Sequence, residues 1–137
     1  MTTPTAELVE QVKLWRDQDP DSETRGQLDA LLESHANGDA TSLTTMEALF
    51  SGRLAFGTAG IRGRLQPGPM GMNRVVIGQT TAGLAHYLLE QSAPGSSDAP
   101  RVVIGCDART NSRVFAEDTA AILAGYGLRA ILLPFGR

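Results

Sequence analysis

Apolar side chains recur at helical spacing through the first fifty residues, then give way to short β-branched runs set between longer helical segments. Leu8, Val9, Val12 and Trp15 fall on one helical stripe, which stops at Asp19-Pro20. The spacing predicts a second helix from Asp21 or Ser22, carrying Leu28, Leu31 and Leu32 and ending at Asn37-Gly38. A third is predicted to open at Thr44-Thr45-Met46-Glu47, where hydroxyl and carboxylate have capping-box spacing, and to close at Gly52. Past Gly52 the character changes. Leu54-Ala55-Phe56 reads as a short strand, and Gln66 to Gly71, with two prolines, as a turn. Asn73 is suited to cap a long helix reaching about Gln91, with Val76, Ile77, Leu84, Tyr87 and Leu88 on or near one face. The small residues Gly78, Ala82, Gly83 and Ala85 would let that helix lie close to a sheet.

Ser92 to Pro100 reads as a flexible connector. Arg101-Val102-Val103-Ile104-Gly105 has the length and β-branching of a buried strand. Ser112 is placed to cap a helix containing Val114, Phe115, Ala120, Ile122 and Leu123, which ends at Gly125-Tyr126-Gly127. Ala130 to Leu133 is another apolar strand. Strand, helix, strand with short links is a βαβ unit, whose strands run parallel with a right-handed crossover. The fold class is therefore α/β. Residues 1–52 form a helical N-terminal extension, and residues 53–137 an α/β domain with a partial mixed or parallel sheet and flanking helices. In open α/β sheets ligands gather beyond the C-terminal ends of strands, which is where Pro134-Phe135-Gly136-Arg137 follows the last one.

Composition narrows the partners. The chain has 137 residues, 42% hydrophobic and 20% charged, ordinary values for a soluble domain with a real core. A net charge of −3 argues against general nucleic-acid binding, which favours a basic surface. The single cysteine, Cys106, rules out an internal disulfide and fits a reducing compartment. The polar, acidic start does not read as a signal peptide, and no apolar run approaches the ~20 residues of a membrane span. A cytoplasmic location is expected.

The strongest chemical signal is the heptad Gly57-Thr58-Ala59-Gly60-Ile61-Arg62-Gly63. Three glycines let backbone N–H groups turn toward one point, and the Arg62 guanidinium is a planar fork of donors that fits phosphate oxygens. Arg53, Arg64 and Arg74 raise the local positive potential. The same residues also suit an ordinary turn with a solvated arginine, and local chemistry alone leaves both readings open. Asp107-Ala108-Arg109 follows the Val102–Gly105 strand directly, where binding groups collect. Asp107 can accept turn N–H groups, pair with Arg109, or hold an arginine of the glycine loop. Other motifs fall away. Gly125-Tyr126-Gly127-Leu128-Arg129-Ala130 matches a dinucleotide-binding pattern but lies after a helix, where it reads as a C-cap and turn. His35, His86 and Cys106 lack metal-ligand spacing, so no metal site is expected in this chain.

Taken in order, these residues resemble the α-D-phosphohexomutases, the family of phosphoglucomutase and phosphomannomutase. The heptad resembles that family's Gly-Thr-x-Gly-x-Arg-Gly loop. Met72-Asn73, Val103 to Arg109, Ser112 to Ala116 and Gly127-Leu128-Arg129 follow in the family's order. Trp15, Asp19-Pro20-Asp21 and Leu54-Ala55-Phe56 resemble the branch with a helical N-terminal extension. The resemblance implies transfer of phosphate between the 1- and 6-positions of a hexose through an enzyme phosphoserine and a bisphosphate intermediate. It further implies that Arg62 supports the phosphoserine, that Gly57, Thr58, Gly60, Arg62 and Gly63 bind phosphate, and that Asp107 and Arg109 lie near the site as structural residues.

The resemblance also marks what these 137 residues do not contain. The family's phosphoserine lies in a Thr-Ala-Ser-His-Asn-Pro loop, and none of the serines here has that context. The Asp-Gly-Asp magnesium loop, the sugar-specificity loop and the C-terminal phosphate-binding domain are likewise not found. The expectation is an incomplete first domain of a mutase, ending before its catalytic serine loop and inactive alone. For the full enzyme the resemblance implies magnesium, a hexose 1,6-bisphosphate activator, a phosphosugar substrate and no nucleic-acid or membrane partner. The alternatives are a phosphate- or phosphosugar-binding module without chemistry, or a non-functional remnant.

Overall fold

The structure, a computed structural model, describes residues 3–92 and 98–134. Most of the expected connector, residues 93–97, lies outside the described residues, as does Phe135 onward. The chain divides into two compact units, which meet in sequence between Val76 and Ile77.

The first unit begins with three helices: α1 (Pro4–Gln18), α2 (Ser22–Ala36) and α3 (Ala40–Leu49). Each start is set by a short polar side chain that accepts an otherwise orphaned backbone N–H: Thr3 from Ala6, Asp21 from Glu23, and Asp39 from Thr41. The capping box expected at Thr44 is not used. α3 starts four residues earlier, because Asp39 supplies a cap there, and the Thr44 hydroxyl instead bonds back to the Ala40 carbonyl within the helix. Between α1 and α2 the buried Asp19 carboxylate accepts from the Thr24 hydroxyl at 2.6 Å and the Asp21 N–H at 2.9 Å, which fixes the angle of the turn. Val12, Trp15, Leu28, Met46, Leu49, Val75 and Val76 form the core of this unit, with Phe50 set edge-on to Trp15 at 5.9 Å between ring centroids.

After α3 come two very short strands, β1 (Phe56–Gly57) and β2 (Gly60–Ile61), paired antiparallel with Phe56 opposite Ile61. Only Phe56 of the expected Leu54–Phe56 strand is extended in a ladder, and β1 runs on into the glycine heptad. A turn then leads into α4 (Arg74–Gln91), the 18-residue helix predicted after Asn73. Its expected face is only partly used. Val75, Val76 and Ala85 are buried, whereas Leu84 and Tyr87 are exposed.

The second unit holds β3 (Arg101–Ile104), α5 (Ser112–Gly125) and β4 (Arg129–Leu132). β3 and β4 pair in parallel, Arg101 opposite Arg129 through Ile104 opposite Leu132, as the βαβ reading requires. Among the described residues Asn111, not Ser112, occupies the N-cap of α5; it takes the left-handed conformation and gives no side-chain cap. Ser112 turns its hydroxyl the other way, accepting the Asp107 N–H at 3.1 Å. At the far end α5 stops at Tyr126 and the chain turns at Gly127 into β4, so the Gly125–Ala130 match is a helix end, as read. α5 packs on one sheet face, where Val102, Ile104 and Ala130 join Ala85, Ala116, Leu123 and Leu128.

Strand alternation sends Val103 and Ile131, direct partners across the ladder, to the other face, where they are 61% and 42% exposed. The expected fully buried strand is thus buried on one face only. Neighbouring residues of β3 should therefore respond oppositely to truncation. Ile104→Ala should cost about 2–4 kcal/mol in chemical denaturation, within the usual range for a buried Ile or Leu. Val103→Thr should stay within ~0.5 kcal/mol, as surface substitutions do.

Candidate functional site

The glycine heptad folds as a tight hairpin rather than a loose loop. β1 and β2 enclose the two turn residues Thr58 and Ala59, with Gly57 directly opposite Gly60. Gly60 has φ +104°, outside the range that a residue with Cβ adopts readily, so glycine is needed to close the turn. Ile61 packs against the core of the first unit and fixes the hairpin to it. Alternation then turns the next residue outward. Arg62 is exposed, and among the described residues its guanidinium makes no hydrogen bond or ion pair. Gly57, Thr58 and Gly63 are exposed as well, so the turn presents backbone, a hydroxyl and a cation to solvent.

Local positive charge is carried by the same segment. Arg53 and Arg64, both exposed, precede and follow the hairpin in sequence, and Arg74 opens α4 with its guanidinium 3.5 Å from the Pro20 carbonyl. Arg62, with no carboxylate partner among the described residues, keeps its full charge available to an anion. Charge-assisted hydrogen bonds to phosphate are the interaction such a fork makes best.

Asp107 and Arg109 belong to the second unit and form a closed turn after β3. The Asp107 carboxylate accepts the Arg109 N–H at 3.0 Å through one oxygen and the Arg109 guanidinium at 2.8 Å through the other. This is the turn-stabilising ion pair that the sequence allowed. The Arg109 backbone N–H is the main reason the Asp107 carboxyl is held below its ordinary range; partial desolvation opposes it, and the Ser112 hydroxyl and the Arg109 charge add to the lowering.

The five heptad residues are therefore brought together in one hairpin, while Asp107 and Arg109 form a separate turn. Among the described residues no group of three or more His, Cys, Asp or Glu side chains converges to hold a metal ion. Among the described residues no such donor set would hold the magnesium that the resemblance implies. No described helix is long and apolar enough to cross a membrane.

The second unit is a parallel β3–α5–β4 crossover and the first carries the arginine-bearing glycine hairpin, features of an α/β class of protein. The family model for phosphoglucomutase/phosphomannomutase, alpha/beta/alpha domain I, matches residues 53–135. The chain belongs to the phosphoglucomutase/phosphomannomutase family, of which it carries the N-terminal domain I. It is 54% identical over 65 residues to a probable phosphomannomutase of Haemophilus influenzae, a match covering 47% of this chain and 12% of that protein. It is 34% identical over 122 residues to a probable phosphoribomutase of Schizosaccharomyces pombe, covering 89% of this chain and 19% of the relative. A phosphoribomutase of Saccharomyces cerevisiae is 32% identical over 128 residues, 92% of this chain and 19% of its own. The chain thus spans less than a fifth of the length of these curated relatives. No solved structure matches it significantly.

The Asp107 turn has a pH signature. Because folding lowers the carboxyl's pKa, the turn's stabilisation is present above the ordinary carboxylate range and is lost as pH falls through the lowered value. Carboxyl-detected NMR of the folded chain should show Asp107 titrating below an ordinary aspartate. Arg109→Ala should keep most of that lowering, since the backbone N–H that dominates it survives; a return to the ordinary value would assign the effect to the guanidinium instead.

Proposed function

We propose that this chain supplies the phosphate-binding hairpin of a phosphosugar mutase, which interconverts hexose 1- and 6-phosphates through an enzyme phosphoserine and a bisphosphate intermediate. The observation that carries the reading is the exposed Arg62, without a counter-charge among the described residues, on a glycine hairpin pinned to the core by Ile61. Phosphoryl transfer is catalysed largely by positioning and by cations that neutralise the equatorial oxygens. Arg62 would serve as one such cation against the phosphoserine, with Gly57, Thr58, Gly60 and Gly63 shaping that corner through backbone donors and a hydroxyl.

The relatives are named for mannose, glucose and ribose phosphates, and what those names share is the phosphate. The proposal accordingly assigns the phosphate end of the substrate to this chain and leaves the sugar to residues outside it. The full enzyme would use magnesium and a hexose 1,6-bisphosphate activator, and would work in the cytoplasm.

Titrating the isotopically labelled chain with glucose 1-phosphate should produce saturable amide shifts centred on Gly57 to Gly63. Arg62→Ala should weaken that binding about tenfold to a hundredfold, as expected for a charge-assisted hydrogen bond of roughly 1.5–3 kcal/mol. Arg62→Lys should fall between, keeping charge without the fork. Shifts that scatter over the surface without saturating would reject the phosphate reading. Because the serine loop implied by the resemblance is not among these residues, the 137-residue chain given glucose 1-phosphate, magnesium and glucose 1,6-bisphosphate should form no glucose 6-phosphate. Turnover there would overturn the assignment of the nucleophile to another segment.

A further inference from the structure

We infer that Asn73 is a positioning residue for the phosphate hairpin, through a clamp that grips both of the hairpin's stems; the inference rests on the reading of that hairpin given above. Asn73 is 2% exposed, and both ends of its carboxamide are used. Oδ1 accepts the Val76 N–H at 3.0 Å, the bond of an ordinary helix cap. Nδ2 donates to the Gln66 and Gly68 carbonyls, each at 2.8 Å, with the Gly71 carbonyl a longer neighbour at 3.4 Å. A cap requires only the oxygen. The two N–H groups do something else: they hold the 66–71 turn closed.

That turn is where the two ends of the hairpin are tied. On the entering stem, the Leu54 N–H donates to the Pro69 carbonyl at 3.0 Å, two residues before β1. On the leaving stem, the Met72 N–H donates to the Arg64 carbonyl at 2.7 Å, two residues after Arg62, and Leu65 and Met72 form an isolated bridge. The turn in turn rests on α3. Gly68, at φ +89°, lies so close to the Leu49 carbonyl that a Cβ would sit 2.8 Å from it, and the Met70 N–H donates to that same carbonyl at 3.3 Å. Asn73 thus locks a rigid piece that touches the chain on both sides of Phe56–Gly63 and never touches the hairpin tip.

Among the usual capping side chains, only asparagine offers this pair of functions. Serine, threonine and aspartate can accept the Val76 N–H, but none carries a planar pair of N–H donors for Gln66 and Gly68. Asn73→Ser therefore separates a cap from a clamp. Amide hydrogen exchange and inorganic phosphate titration, both on the full 137-residue chain, read the two roles apart. The Asn73→Ser chain should keep a cooperative melt and a slowly exchanging Val76 amide. Its Leu54 and Met72 amides and those of Gly57 to Gly63 should exchange at least about tenfold faster, and phosphate should bind at least about tenfold more weakly. Unchanged exchange at the stems and hairpin would reduce Asn73 to a helix cap and overturn the inference. If the parent chain shows no saturable phosphate shifts, the phosphate reading fails, while the exchange data still decide the clamp. Should Asn73→Ser not fold, the parent decides it as well. Leu54 and Met72 amides protected together with Val76 support the clamp, and free exchange at the stems beside a protected Val76 overturns it.

Discussion

The glycines of the 66–71 turn are buried, and the side chain of Asn73 reaches the Gln66, Gly68 and Gly71 carbonyls, Gly68 also taking the Gly71 N–H at 3.2 Å. A buried carbonyl without a partner costs about 1–3 kcal/mol, a demand that the Asn73 amide helps to meet. With it, a stretch rich in proline and glycine becomes as fixed as a helix end. The elements around the glycine hairpin are attached to that point. α3 supplies the surface beneath it, α4 starts from its other side, and the hairpin hangs from it by two backbone bonds.

The same logic explains why the hairpin tip can be so exposed and still be defined. Ile61 seats one strand in the core and the stems are bonded to the turn, while Gly57, Thr58, Ala59, Arg62 and Gly63 are exposed. If the hairpin binds an anion as proposed, its ordering cost is low, because the backbone is already held beforehand. The glycines then let the chain reverse within two residues.

Much of this was legible in the sequence, and the exceptions have physical causes. α1 could be placed from the Leu8–Trp15 stripe and its stop at Asp19-Pro20, α2 from Asp21 before its leucines, and the parallel β3–β4 pair because two β-branched runs flank a helix. α3 was misplaced because two cap signals compete within five residues: Asp39 wins, and the Thr44–Glu47 spacing becomes an internal turn of the helix. Ser112 was misread because the same hydroxyl suits a cap and a bond to the Asp107 N–H, and the left-handed Asn111 makes the second geometry the available one. Burial of Val103 was overestimated because an apolar β-branched run does not say how many layers will cover it. In the site, the heptad could be recognised from residue types alone, since its chemistry is local. The clamp could not, because Nδ2 of Asn73 reaches carbonyls five and seven residues back, and Asn before a helix already has a sufficient explanation as a cap.

Two arginine-bearing turns compete for the role of anion site, and their internal charge balance separates them. Arg109 stands beside Asp107 at 2.8 Å, and the Asp107 carboxylate also takes the Arg109 N–H, so that turn carries its own counter-charge and is complete without a ligand. An incoming phosphate there would meet a carboxylate as well as a guanidinium and would have to break a bonded pair to gain one. Arg62 has no such neighbour among the described residues, and its hairpin offers N–H groups and a hydroxyl with no acid in the heptad. Charge complementarity therefore favours the Gly57–Gly63 hairpin as the proposed anion site, and Asp107 and Arg109 fix the chain between β3 and α5.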